Sequence, residues 1–138
     1  MPIKQISVFL ENTTGRLGEV TGTLAKADIN IRAISIADTA EFGILRLIVN
    51  DYEKALKALN GKGFTARVTD VAAVQIDDKP GSLAGVMELF QDLKINIEYL
   101  YASLEGNSNK AIVIFKMEDH EKGMRIIREN GLQTVESF

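Results

Sequence analysis

Gly15-Arg16-Leu17, followed by Ile29-Asn30-Ile31, returns 66 residues later as Gly81-Ser82-Leu83 followed by Ile95-Asn96-Ile97. The same offset pairs Val8 with Val74, Val20 with Val86 and Leu24 with Phe90. Further along it becomes 68, so that Glu53-Lys54 meets Glu121-Lys122 and Gly63-Phe64 meets Gly131-Leu132. The drift is a small loop insertion, placed in Glu105-Gly106-Asn107-Ser108-Asn109. The chain therefore reads as two copies of one unit, residues 1–69 and 70–138.

One copy can be read element by element. Ile6, Val8 and Leu10 alternate with Ser7 and Phe9, which is a strand. Glu11 to Gly15 is loop chemistry. Leu17, Val20, Leu24 and Ala27 recur along one face of a helix that Asp28 ends. Strands follow at Ile31 to Ala37 and Phe42 to Val49. Asp51 caps a second helix carrying Ala55, Leu56 and Leu59, and Gly61 or Gly63 stops it. Phe64 to Thr69 is a fourth strand. The second copy repeats this order: a strand at Val71 to Ile76, a helix with Leu83, Val86, Phe90 and Leu93, strands at Ile97 to Ala102 and Ala111 to Met117, a helix capped by Asp119, and a short strand at Thr134 to Val135. The expected class is α+β: two ferredoxin-like βαββαβ units, each an antiparallel sheet with both helices on one face. No Gly, Pro or Ser run separates the copies, so they are expected to dock side by side.

Composition narrows function by exclusion. The chain has 46% hydrophobic and 25% charged residues, ordinary globular values. A net charge of -3 with no basic run opposes nucleic-acid and anionic-membrane partners. No apolar segment reaches membrane-spanning length and no signal segment opens the chain, so a cytoplasmic protein is expected. No cysteine and one histidine, His120, leave no thiolate or multi-histidine metal site. No Ser/His/Asp grouping or nucleotide fingerprint appears, so no catalytic residue, metal or cofactor is assigned. His120, flanked by Asp119 and Glu121, reads as a surface residue.

The recurring residues are the candidates for binding. Gly15 and Gly81 stand where a strand turns into a helix; either the turn needs a glycine or a ligand approaches the backbone and the free helix N–H groups. Asn30 and Asn96 stand between helix and strand. They serve either as helix C-caps, since Asn tolerates positive φ, or as donors and acceptors for a zwitterion. Asn12 and Asp78 occupy equivalent loop positions and could accept from an ammonium group. Asp77 and Lys79 read as solvated charges.

Glu11-Asn12-Thr13-Thr14-Gly15-Arg16-Leu17 with Asp28-Ile29-Asn30-Ile31 resembles an ACT domain. Asp77-Asp78-Lys79-Pro80-Gly81-Ser82-Leu83 with Lys94-Ile95-Asn96-Ile97 resembles a second. The resemblance covers nearly the whole chain. It implies a regulatory module, not an enzyme, that binds a free amino acid between side-by-side domains. In serine-sensing members, an Asn in the first loop and an Asn before the second strand of the facing domain hold the ligand. Carried over, the sites pair Asn12 with Asn96 and Asp78 with Asn30. They are completed by Thr13, Thr14, Gly15, Arg16, Leu17 and Ile31 in one copy and by Lys79, Pro80, Gly81, Ser82, Leu83 and Ile97 in the other. Thr14 stands where Pro is commoner, Asp78 where Asn would be wanted, and Leu10 and Ile76 where the serine type has His. These departures count against serine.

Two features bear on assembly. Gly18, Thr21, Gly22 and Ala25 form a small-residue stripe, read as a place where the first helices of the two copies pack. The third strands are apolar on both faces, which points to a covering partner and to a homodimer. The first copy also resembles the start of acetolactate synthase small subunits, whereas the second does not resemble their C-terminal part. A metabolic enzyme is thus a second expected partner.

Overall fold

The structure is a computed structural model that describes residues 3–39, 41–104 and 108–136. Eleven elements follow in order: β1 (Ile3–Glu11), α1 (Arg16–Lys26), β2 (Ile31–Asp38), β3 (Phe42–Val49), α2 (Tyr52–Gly61), β4 (Thr65–Asp77), α3 (Ser82–Asp92), β5 (Ile97–Leu104), β6 (Lys110–Met117), α4 (His120–Glu129) and β7 (Gln133–Thr134). Two compact units are formed, one from Lys4–Thr69 and one from Asp70 onward. Each is a βαββαβ unit of the ferredoxin-like kind, with antiparallel strands. Of the insertion expected at 105–109, Glu105, Gly106 and Asn107 lie outside the described residues.

In the first unit β3 lies between β1 and β2. The register sets Ile6 opposite Leu47 and Val8 opposite Leu45. Strand alternation turns these four residues to one face, where all are buried. Val20 and Leu24 of α1 and Ala55 and Leu59 of α2 close over them, and Phe64 and Ala66 complete the core. The helices bury apolar stripes because their apolar residues recur at three- and four-residue spacing.

The second unit repeats the plan with β6 between β4 and β5, and β7 pairs with β4. Its core joins Val74, Val113, Phe115 and Met117 to Val86, Phe90 and Ile127. The Phe90 and Phe115 rings meet edge to face, 5.3 Å between centroids. Asp51 and Asp119 cap α2 and α4 alike, each carboxylate accepting the N–H three residues on, at 3.1 Å.

Two expectations need correction. The strands expected at Phe64 to Thr69 and Val71 to Ile76 are one strand, β4, of 13 residues. Nothing between Phe64 and Asp77 is Gly or Pro, and Thr65, Val68, Thr69 and Val71 favour extended backbone. Asn30 and Asn96 are not C-caps. The left-handed residues after the helices are Asp28 (φ 59°) and Lys94 (φ 58°), two positions earlier. No helix among the described residues is long and apolar enough to cross a membrane.

Candidate functional site

The loops before α1 and α3 are superimposable in their bonding. In the first, the Asn12 N–H donates to the Glu41 carbonyl (2.8 Å), Thr13 to Glu11 (2.9 Å) and Arg16 to Thr13 (3.3 Å). In the second, Asp78 donates to Asn109 (2.8 Å), Lys79 to Asp77 (3.0 Å) and Ser82 to Lys79 (3.3 Å). Gly15 and Gly81 then take φ of 90° and 91° as the helix N-caps. An L side chain is strained there, so the turn itself demands glycine. A Cβ at either position would meet nothing within 4 Å, so no described group presses on the backbone. Neither helix has a side-chain cap. The first-turn N–H groups, short of intrahelical partners, open onto an exposed polar loop, an arrangement suited to an anionic group.

Within one unit the loop and its asparagine stand apart. Residues 12–17 lie at the C-terminal end of β1, and Asn30 lies at the start of β2. The 11 residues of α1 that separate them span about 16 Å. The same holds for residues 78–83 and Asn96 across α3.

The two asparagines are engaged differently. The Asn30 N–H donates to the Asn50 side-chain oxygen (3.0 Å), and the Asn50 N–H returns to the Asn30 carbonyl (3.2 Å). At the equivalent place the Asn96 side-chain amide donates to the Glu118 carboxylate (3.1 Å), and the Glu118 N–H returns to the Asn96 carbonyl (3.0 Å). Asn96 thus gives one side-chain N–H to Glu118, while its other N–H and its side-chain oxygen keep hydrogen-bonding capacity. Asn50 and Glu118, 68 residues apart, escaped notice in the sequence; the repeat offset itself would have aligned them.

Arg16 and Ser82 mark the largest chemical difference between the loops. The Arg16 guanidinium stacks 4.8 Å from the centre of the Phe64 ring and donates to Glu19 at 2.8 Å. A cleft of about 190 Å³ opens beside it, lined by Glu11 and Thr65 as well as by Phe9, Leu10, Phe42 and Phe64. In the second unit Asp77 is not a free solvated charge. It pairs with Lys110, whose hydrogen bond and charge hold its carboxyl below the ordinary 3.8. Lys79 stands 3.9 Å from the same carboxyl group.

The small-residue stripe of α1 is open. A Cβ at Gly18 or Gly22 would meet nothing within 4 Å. Gly18, Glu19, Gly22, Thr23, Lys26, Lys62 and Phe64 line a cleft of about 300 Å³. The face of the first sheet away from the helices carries an apolar groove of about 590 Å³ with Phe9 and Phe42 half exposed. Among the described residues no group of three or more acidic, His or Cys side chains is placed to hold a metal ion.

Comparison with known proteins adds an independent line. The family profile described as "ACT domain pair" matches residues 1–137. The chain is 23% identical to the acetolactate synthase small subunit of Bacillus subtilis, over 81% of this chain and 78% of that protein. That span is longer than one unit, so the likeness extends beyond the first copy. Among solved structures, protein BT0572 of Bacteroides thetaiotaomicron is 41% identical, with a TM-score of 0.92 over 98% of this chain and 92% of its own. The regulatory subunit of aspartate kinase from Thermus thermophilus shares the fold at 21% identity, with a TM-score of 0.68 over 94% and 93% of the two chains.

Proposed function

The chain belongs to the ACT domain pair family, a pair of the regulatory type, and from that premise we propose that it senses a free amino acid of the cytoplasm and has no catalytic activity of its own. The ligand would sit between the two units, its carboxylate at an uncapped helix start and its ammonium group at a loop side chain. One site would use Asn12 to Leu17 with Asn96 and Ile97. The other would use Asp78 to Leu83 with Asn30 and Ile31. The observation that carries this reading is the repeated loop: same bonds, same left-handed glycine, same uncapped helix. A turn needs such geometry for itself, but it does not need a polar, exposed loop at both places.

Regulation would follow by linkage. A ligand that touches both units favours the arrangement in which they present it best, by about 2.7 kcal/mol at a hundred times Kd. A thermal-shift screen of the twenty amino acids tests this. At least one should raise Tm, by roughly 6–12 °C at that saturation. Asn96→Ala should weaken the response by removing one of the two sites. Glu118→Gln, which keeps a side-chain acceptor for Asn96, should retain it. No shift with any amino acid at millimolar concentration would contradict the proposal.

A second reading has its own support in the likeness to the acetolactate synthase small subunit. Here the pair would act as the regulatory subunit of a biosynthetic enzyme. Co-purification with such a synthase's catalytic subunit would favour it, and free migration of the two would oppose it.

A further inference from the structure

The loop end of the first unit carries a set of groups that the second unit lacks. Arg16 and Glu11 line the cleft of about 190 Å³ beside α1, together with the rings of Phe9, Phe42 and Phe64. At the matching positions of the second unit stand Ser82, Asp77, Gln75, Lys110 and Leu132. Ser82 carries no charge. Asp77 keeps a carboxylate but pairs it with Lys110, which stands opposite the acid where the first unit has Phe42. Glu11, by contrast, is exposed and forms no ion pair among the described residues. The Arg16 guanidinium is held from two sides, by the Phe64 ring and by Glu19. One of its N–H donors goes to Glu19, while Nε is closed off from solvent with no hydrogen-bond partner. A buried donor without an acceptor is costly, and a carboxylate is the acceptor whose geometry a guanidinium matches best. Phe9 and Phe42 are 50% and 54% exposed, so part of the apolar wall faces water until something covers it.

We infer that this cleft reads the side chain of the sensed amino acid, and that the ligand is one with an apolar side chain, aliphatic or aromatic. The inference rests on the sensing function proposed above and names its ligand class. The carboxylate lies at Arg16, beside the open start of α1. The ammonium group lies at Glu11, at the end of β1. The side chain lies against Phe9, Phe42 and Phe64 and removes their exposed area from water. A polar side chain in the same place would leave its own water without gaining a partner from the rings. The cleft is smaller than the roughly 300–1,000 Å³ of sites for drug-sized ligands, which suits a single amino acid. At the matching places the second unit has no guanidinium, no unpaired acid and no ring. Selection among side chains therefore belongs to the first unit.

Isothermal titration calorimetry of the full chain tests it. L-Leucine or L-phenylalanine should bind at least about tenfold more tightly than L-alanine or L-serine, since each buried methylene is worth about fourfold. Arg16→Ser, which installs the second unit's residue, should weaken L-leucine by about tenfold and leave L-leucinamide, which has no carboxylate, within about twofold. Glu11→Gln should weaken L-leucine by about threefold and leave 4-methylpentanoate, which has no amino group, unchanged. Should Arg16→Ser fail to fold by circular dichroism, the ranking of amino acids and the Glu11→Gln comparison decide. A tightest ligand with a polar side chain overturns the inference and leaves the sensing reading standing. So does an Arg16→Ser variant that weakens L-leucine and L-leucinamide alike, which would make Arg16 a structural residue only. No binding by any of the twenty amino acids at millimolar concentration overturns both.

Discussion

The two units keep one backbone and fill it differently. Gly15 and Gly81 share φ within a degree, as do Asp28 and Lys94. Loop hydrogen bonds agree to within about 0.1 Å. Yet Arg16 becomes Ser82, Asn50 becomes Glu118, Phe9 becomes Gln75 and Phe42 becomes Lys110. The glycines that open α1 and α3 have held, whereas the left-handed position after each helix has changed from Asp28 to Lys94, and residues that only need a compatible neighbour have changed along with it. Glycine at a left-handed N-cap has no substitute that avoids strain. A polar partner or a core volume has several.

The sharpest case is in the two cores, and it gives the largest predicted effect. In the second unit a Cβ added to Gly123 would fall 2.2 Å from the sulfur of Met117, which is fully buried. The equivalent pair in the first unit is Ala55 with Val49, both in its core. Large beside small has been exchanged for medium beside medium. Gly123→Ala should destabilise the protein by roughly 0.5–2 kcal/mol in urea unfolding, because the Met117 thioether must move in a filled core while the helix gains about 1 kcal/mol from Ala. Met117→Val with Gly123→Ala, which copies the first unit's pair, should recover most of the loss. An additive double mutant would show that the two units do not trade volume in this way.

A smaller effect should separate the strand ends. Asp77 faces Lys110 where the first unit has Glu11 facing Phe42. The folded Asp77 carboxyl titrates below its ordinary 3.8, first through its hydrogen bond to Lys110. A depressed carboxyl contributes stability above the unfolded pKa and loses it as pH falls through the lowered folded value. The pair is exposed, so the contribution is small. Lys110→Ala should flatten the acid limb of the stability curve slightly. An acid limb identical to that of the unsubstituted protein would mean that the pair does not matter in solution.

The repeat made most of the fold legible. It placed the helices, the capping aspartates and both loops, because turns, caps and apolar spacing are local properties written in adjacent residues. The continuity of β4 was less visible, since Asp70 looked like a boundary although nothing there breaks extended backbone. Of the two roles open to Asn30 and Asn96, the cap falls away, because the preference of Asn for positive φ is weak and Asp28 and Lys94 reach the turn first. The partners of the candidate residues were out of view. Asn50 lies 20 residues from Asn30, Glu118 lies 22 from Asn96, and Phe64 is brought under Arg16 only by folding.

Amide-resolved NMR of the full chain, titrated with an amino acid that raises its Tm, addresses the sensing account most directly. The account predicts shifts concentrated in residues 12–17 and 78–83 and at Asn30 and Asn96, saturating together. Shifts confined to the apolar groove around Phe9 and Phe42, or spread without regard to the repeated loops, would contradict it.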